Sequence, residues 1–171
     1  MRRSIPFLGV AILALVALWG WRDTLFPGEE VRIRKTLESL MGEVSFEPNE
    51  GGIAAGRRIS AAVGRFTPDA EIQLEILGAG SFHISGGGEI QQTLWAARRG
   101  ARRLRVRFFD IVPSVSPGGR SADARLTATA EAVGNRSNQE GFEAMEFRLQ
   151  LQRVEGAWRI SRVDTVQALT Q

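Results

Sequence analysis

The stretch 146–169 limits the folds open to this chain more than any other. Phe147, Leu149 and Leu151 alternate with Arg148, Gln150 and Gln152, the period of a strand with one buried face. Glu155 and Gly156 interrupt the run, and Trp158 and Ile160 resume it with Arg159 and Ser161 on the opposite face. Two alternating runs around a short Gly-containing break predict a β-hairpin. Its apolar face needs a cover, and the residues upstream must supply both further strands and that cover.

Three more alternating runs precede the hairpin. Ile72, Leu74 and Ile76 alternate with Glu71, Gln73 and Glu75, and 81–85 reads as a short return strand. Leu104, Val106 and Phe108 alternate with Arg103, Arg105 and Arg107, but Ile111 falls on the opposite parity. A slip of one residue predicts a β-bulge near Phe109, and a second slip is read near 161–163. From 122 to 133, Ala124, Leu126, Ala128, Ala130 and Ala132 share one face, opposite Arg125, Thr127, Thr129 and Glu131. Segments 113–119 and 134–141 read as loops, and Thr67, Pro68 and Asp69 as a turn.

The cover is helical. Ile33, Leu37, Leu40 and Met41 follow helical spacing behind Pro27, Glu29 and Glu30, which suit a helix start, so the first helix is placed at 29–42. A weaker helix is predicted at 53–66, with Ile53, Ala54, Val63 and Phe66 as its core contacts. A third is placed at 89–99 with Ile90, Leu94 and Trp95 inward, after a flexible Gly86-Gly87-Gly88 turn. That glycine run lacks the Lys-Ser/Thr of a phosphate loop.

Residues 5–21 carry no charge and come after Arg2 and Arg3. As a helix they span about 26 Å, slightly less than a hydrocarbon core of about 30 Å. Trp19 and Trp21 sit where aromatic rings favour the membrane interface. The segment has no good A-x-A site, which favours an uncleaved anchor over a signal peptide. The expected organisation is a cytoplasmic stub and anchor at 1–22, a linker at 23–28 and one domain at 29–171. The expected location is the bacterial inner membrane with a periplasmic domain; a secreted domain released by cleavage is the alternative.

The order helix, helix, strand, short strand, helix and four long strands resembles the NTF2-like superfamily, which includes SnoaL-like and ketosteroid-isomerase-like proteins. The resemblance is carried by Phe66-Thr67-Pro68-Asp69-Ala70, by Gly88-Glu89-Ile90, and above all by the ending Val154-Glu155-Gly156-Ala157-Trp158-Arg159-Ile160. It implies an α+β cone in which a curved, mostly antiparallel sheet wraps three helices and leaves a pocket between the layers. The superfamily holds enzymes, binding proteins and assembly modules, so the fold leaves function open.

Residue chemistry narrows the choice. Without cysteine the chain has no disulfide, thiolate metal site or cysteine nucleophile. His83 is the single histidine, so a His-based metal site lacks ligands, and no cofactor is implied. The isomerases of the superfamily hold an oxyanion with a tyrosine and a protonated acid; this chain has no tyrosine. His83, Asp69 and Asp110 are the polar site candidates, each weighed against a surface or turn role, with Asp164 as a further aspartate. Trp95, Phe108, Leu126, Ala128, Ala130 and Trp158 are the pocket candidates, expected to leave a modest apolar cleft. Arg103, Arg105, Arg107, Arg125, Arg148 and Arg159 are expected on the outer sheet face. That face suits acidic lipid, an acidic partner or plain solvation. Nucleic acid is disfavoured, because aromatics do not interleave with these arginines. Two readings stand: a membrane-tethered, non-catalytic interaction module that assembles with itself or an envelope protein, and an apolar-ligand binder or SnoaL-like enzyme using the pocket.

Overall fold

In the computed structural model, which describes residues 28–76, 80–134 and 140–166, the closing hairpin is formed by strands β5 (Glu140–Val154) and β6 (Ala157–Thr165). Glu155 and Gly156 make the two-residue turn, both with positive φ (51° and 82°), as a hairpin of type I′ demands. Leu149, Leu151, Trp158 and Ile160 are buried on one face. The remaining strands are β1 (Phe66–Ile76), β2 (Gly80–Ser85), β3 (Ala101–Val115) and β4 (Ser121–Gly134). They join the hairpin in one six-stranded sheet of order β2-β1-β6-β5-β4-β3. Among the described strands only the β1–β6 pair is parallel.

Both phase slips are bulges. Phe109 pairs with Thr127 and Val112 with Arg125, so β3 carries one extra residue there, and Asp110 adopts φ 50°. Gln150 pairs with Arg162 but Leu151 with Ile160, which leaves Ser161 as the extra residue of β6. Such insertions bend and twist the strands that hold them. The sheet thereby curves around three helices, α1 (Glu29–Val44), α2 (Gly52–Val63) and α3 (Gly86–Gly100).

Each helix buries a stripe set by its own spacing: Ile33, Leu37 and Leu40 from α1, Ala55, Ile59 and Ala62 from α2, and Ile90 from α3. The α1 stripe shares the core with Ala122, Ala124, Leu126 and Ala128. Methyl-sized side chains on β4 leave room for the larger groups of the helix that packs on them. Ala124, Ala128 and Ala130 face inward as their shared parity requires.

Four sequence expectations are corrected. Ile53 lies in the first turn of α2 and is 79% exposed, because the inward face runs through Ala55, Ile59 and Ala62. Thr67, Pro68 and Asp69 lie within β1 and not in a turn. The register with β6 passes from Phe66–Ile160 to Glu71–Arg162, so this polar triplet bulges out of the ladder. Gly86, Gly87 and Gly88 form the first turn of α3. Gly86 has φ 75°, and the Glu89 carboxylate accepts the N–H of Ser85 at 2.8 Å, so strand passes directly into helix. Pro113 lies in β3, an edge strand where its missing N–H is tolerated.

The end of α1 covers part of the β3 edge. Phe46 and Leu104 exchange both backbone hydrogen bonds, N–H to carbonyl, at 2.8 and 3.0 Å. The Val106 N–H donates to Ser45 Oγ at 3.0 Å, and the Phe108 N–H points at Met41 Sδ at 3.3 Å. The expected anchor at 5–21 lies outside the described residues. Among the described residues no helix is long and apolar enough to cross a membrane.

Candidate functional site

Between the helical layer and the sheet lies a cavity of about 160 Å³. Leu40 and Val44 reach it from α1, Phe66 and Ile72 from β1, and Ile84 from β2. Ile90, Thr93 and Leu94 come from α3 and Phe108 from β3. Helix-spaced and strand-spaced stripes converge there because the curved sheet closes over the helices at this end. Among the described lining residues Thr93 carries the only hydroxyl, and none is ionisable. The described lining suits an apolar group and presents no ionisable side chain to it.

The residues singled out from the sequence do not converge on it as a group. Phe108 lines the cavity. Leu126, Ala128, Ala130 and Trp158 are buried elsewhere in the interior, and Trp95 lines a different recess. His83 lies exposed on the edge strand β2, paired with Gln73. Asp69 is exposed in the β1 bulge, and Asp110 is exposed at the left-handed position of the β3 bulge. Asp164 is bound by the Arg162 guanidinium at 2.9 Å, and together with Glu71 it holds that guanidinium above its ordinary pKa. Among the described residues no group of three His, Asp or Glu side chains is placed to hold a metal ion.

Trp158 has a structural partner that no local pattern announces. Its indole N–H donates to Glu29 Oε2 at 2.8 Å. The other oxygen of Glu29 meets Arg153 at 3.1 Å and Arg32 at 3.2 Å. One carboxylate thereby ties the start of α1 to both strands of the closing hairpin. At the other end of α1, Glu43 takes a two-pronged hydrogen bond from Arg65 with contacts from 2.6 to 3.2 Å, which raises the Arg65 pKa above its ordinary value.

The register assigns the arginines. Arg103, Arg105 and Arg107 pair with Val133, Glu131 and Thr129, and Arg125 lies directly opposite Arg148. Alternation with the buried positions puts all five, and Arg159, on the outer sheet face. Arg105 is bound by Glu47 at 3.0 Å and Arg159 lies 3.8 Å from Glu155. Phe109 and Val112, beside Arg107 and Arg125, are 44% and 62% exposed.

A second recess, of about 350 Å³, opens where the α1–α2 connection meets the end of α3 and the start of β3. Its walls combine Phe46, Pro48, Ala55 and Trp95 with Glu47, Glu50, Arg98 and Arg102.

The profile of the SnoaL-like domain matches residues 54–164. The chain belongs to this family. The match covers the sheet up to the last residue of β6, α3 and most of α2, so the α1 cover and the recess beside it fall partly or wholly outside the matched span. None of the curated proteins compared matches the chain. Solved structures share the fold at low identity. A proposed scytalone dehydratase from Novosphingobium aromaticivorans is 13% identical, with a TM-score of 0.64 over 81% of this chain and 85% of that one. A type 2 hexachlorocyclohexane dehydrochlorinase is 12% identical, with a TM-score of 0.62 over 84% and 86%. An NTF2-like protein with a cystatin-like fold, also from N. aromaticivorans, is 14% identical, with a TM-score of 0.56 over 94% and 90%. Identities of this order establish a common fold for the SnoaL-like domain and carry no reaction to it.

Proposed function

We propose that this SnoaL-like domain is a non-catalytic interaction module, carried at the bacterial inner membrane by residues 5–21 with its domain on the periplasmic side. It assembles there with a second copy or with another envelope protein. The observation that carries the reading is the cavity lining: the space between helices and sheet, where this architecture would enclose a ligand, has no titratable side chain among the described residues. The candidate acids and base, Asp69, Asp110 and His83, are all exposed outside it. An outer sheet face with exposed Phe109 and Val112 among arginines supplies a surface of the composition that protein contacts use. Chemical cross-linking of the full chain in native membranes tests this. A cross-linked dimer or a defined heteromer is expected, and it should be lost in Val112→Glu. A strictly monomeric protein with no recovered partner would defeat it.

A second reading is favoured by the same cavity. Two solved structures that share the fold are named for a dehydratase and a dehydrochlorinase, and an apolar cavity near this size takes a benzene-sized molecule. Under this reading, saturation with benzene raises the melting midpoint of the wild-type protein and leaves that of a cavity-filling Leu94→Phe variant unchanged. An unchanged wild-type midpoint rejects it.

A further inference from the structure

The recess beside α2 has features of its own. Arg98 lines it with a side chain only 9% exposed. Its Nη1 is held by the Glu50 carboxylate, and the guanidinium carbon lies 4.6 Å above the centre of the Phe46 ring. Its other terminal nitrogen, Nη2, is buried and finds no hydrogen-bond partner among the described residues. A guanidinium taken out of water normally has acceptors for its donors, so the two N–H groups of Arg98 Nη2 are in excess among the described residues.

The surroundings are cationic as well. Arg58 binds Glu50 at 3.0 Å and Arg105 binds Glu47 at 3.0 Å, so both wall carboxylates are already neutralised. In the walls themselves the guanidiniums of Arg98, Arg99 and Arg102 outnumber the carboxylates of Glu47 and Glu50. Helix α2 begins at the recess: Gly52 lines it, and the N-cap Gly51 has no side chain to accept from the first turn. The positive end of that helix adds to the field. Beside these charges lies the indole of Trp95, while the buried Phe46 ring carries the Arg98 guanidinium on its face.

We propose that this recess binds a small aromatic carboxylate, its ring against Trp95 and its carboxylate between Arg98 and Arg102. The two wall carboxylates limit the charge the recess tolerates and so favour a monoanion over a phosphate dianion. The residues involved lie apart from the apolar cavity and from Phe109 and Val112, so the site stands or falls independently of the assembly reading.

Isothermal titration of the full-length protein tests the proposal, with 2-naphthoate, neutral 2-naphthylmethanol and inorganic phosphate as probes. Naphthoate is expected to bind, with an affinity that falls as salt is added. The neutral alcohol is expected to bind about tenfold or more weakly, as the loss of a charge-assisted contact requires. Arg102→Ala and Trp95→Ala lie at the rim and should each weaken naphthoate binding several-fold. Arg98→Lys should weaken it about tenfold while keeping the charge, because an ammonium lacks the planar fork; should that buried variant not fold, the two rim variants carry the test. Absence of naphthoate binding at millimolar concentration overturns the site. Equal binding of the alcohol, or unchanged binding in both rim variants, also overturns it. Tighter binding of phosphate than of naphthoate overturns the assigned ligand class.

Discussion

Removing the Glu29 carboxylate tests how the helical cover is fastened to the sheet. Trp158 is 4% exposed, and its indole N–H donates to Glu29 at 2.8 Å. In Glu29→Ala that donor is left unpaired in the interior, which costs about 1–3 kcal/mol. The pairs to Arg32 and Arg153 have side chains 30–40% exposed, so each adds at most about 0.5 kcal/mol after screening. The expected loss for Glu29→Ala is about 1–4 kcal/mol. Glu29→Gln keeps an oxygen for the indole and loses only the charge, for about 1 kcal/mol or less. Urea denaturation monitored by far-ultraviolet circular dichroism measures both. A cycle with Trp158→Phe isolates the bond, and a coupling energy of about 1 kcal/mol or more is expected. High salt should narrow the loss only slightly, since the indole bond carries most of it. Equal losses for the Ala and Gln variants, or strict additivity in the cycle, would refute the reasoning.

Ala128→Leu inserts bulk between the core residues of α1 and β4 and should destabilise by about 1–3 kcal/mol, read as a lower urea midpoint. Gly86→Ala meets both φ 75° and a Cβ position 3.3 Å from the Pro68 carbonyl oxygen, and should cost about 1–3 kcal/mol. Gly56→Ala, inside α2 with no atom within 4 Å of the added methyl, should instead gain about 0.5–1 kcal/mol in the same assay. The Arg65 pKa is raised in the folded state by Glu43, so its stabilisation is complete below the unfolded value and lost only as the pH climbs through the higher folded one. Glu43→Gln should therefore lower stability by about 1 kcal/mol equally at pH 6 and pH 9.

The strands were legible because burial on one face imposes a period of two, and each slip in that period at Phe109 and Ser161 marked a bulge. The misread segments are those where a local signal was overruled by pairing. Pro68 and Asp69 carry turn chemistry, but the β1–β6 ladder resumes at Glu71 and absorbs them as a bulge. Pro113 signals a strand end, yet on an edge strand it forfeits no ladder bond. The sites were harder to read for another reason. Glu29 and Trp158 are 129 positions apart, and Glu50 and Arg98 are 48 apart; no periodicity links residues that only the folded chain brings together. The cavity residues Leu40, Ile72, Ile90 and Leu94 were each recognisable as core positions, but which of them meet around empty space depends on curvature. The surplus of arginine drew attention to the outer face, while the buried Arg98 gave no sign of differing from its exposed neighbours.

The cover that α1 lays on β3 bears on how copies of this chain can add to one another. Met41, Ser45 and Phe46 occupy the free edge from Leu104 to Phe108, and the Asp110 bulge and Pro113 interrupt the rest of that strand. The other edge, β2, is six residues long and has no such lid among the described residues. A sheet with two open margins can grow head to tail without end, since each added copy presents a fresh margin. Here one margin is largely occupied, so any strand addition would have to run through β2, and two such edges meeting would close into a twofold pair. The same few residues that finish a helix thus work against open-ended growth from that edge of the sheet.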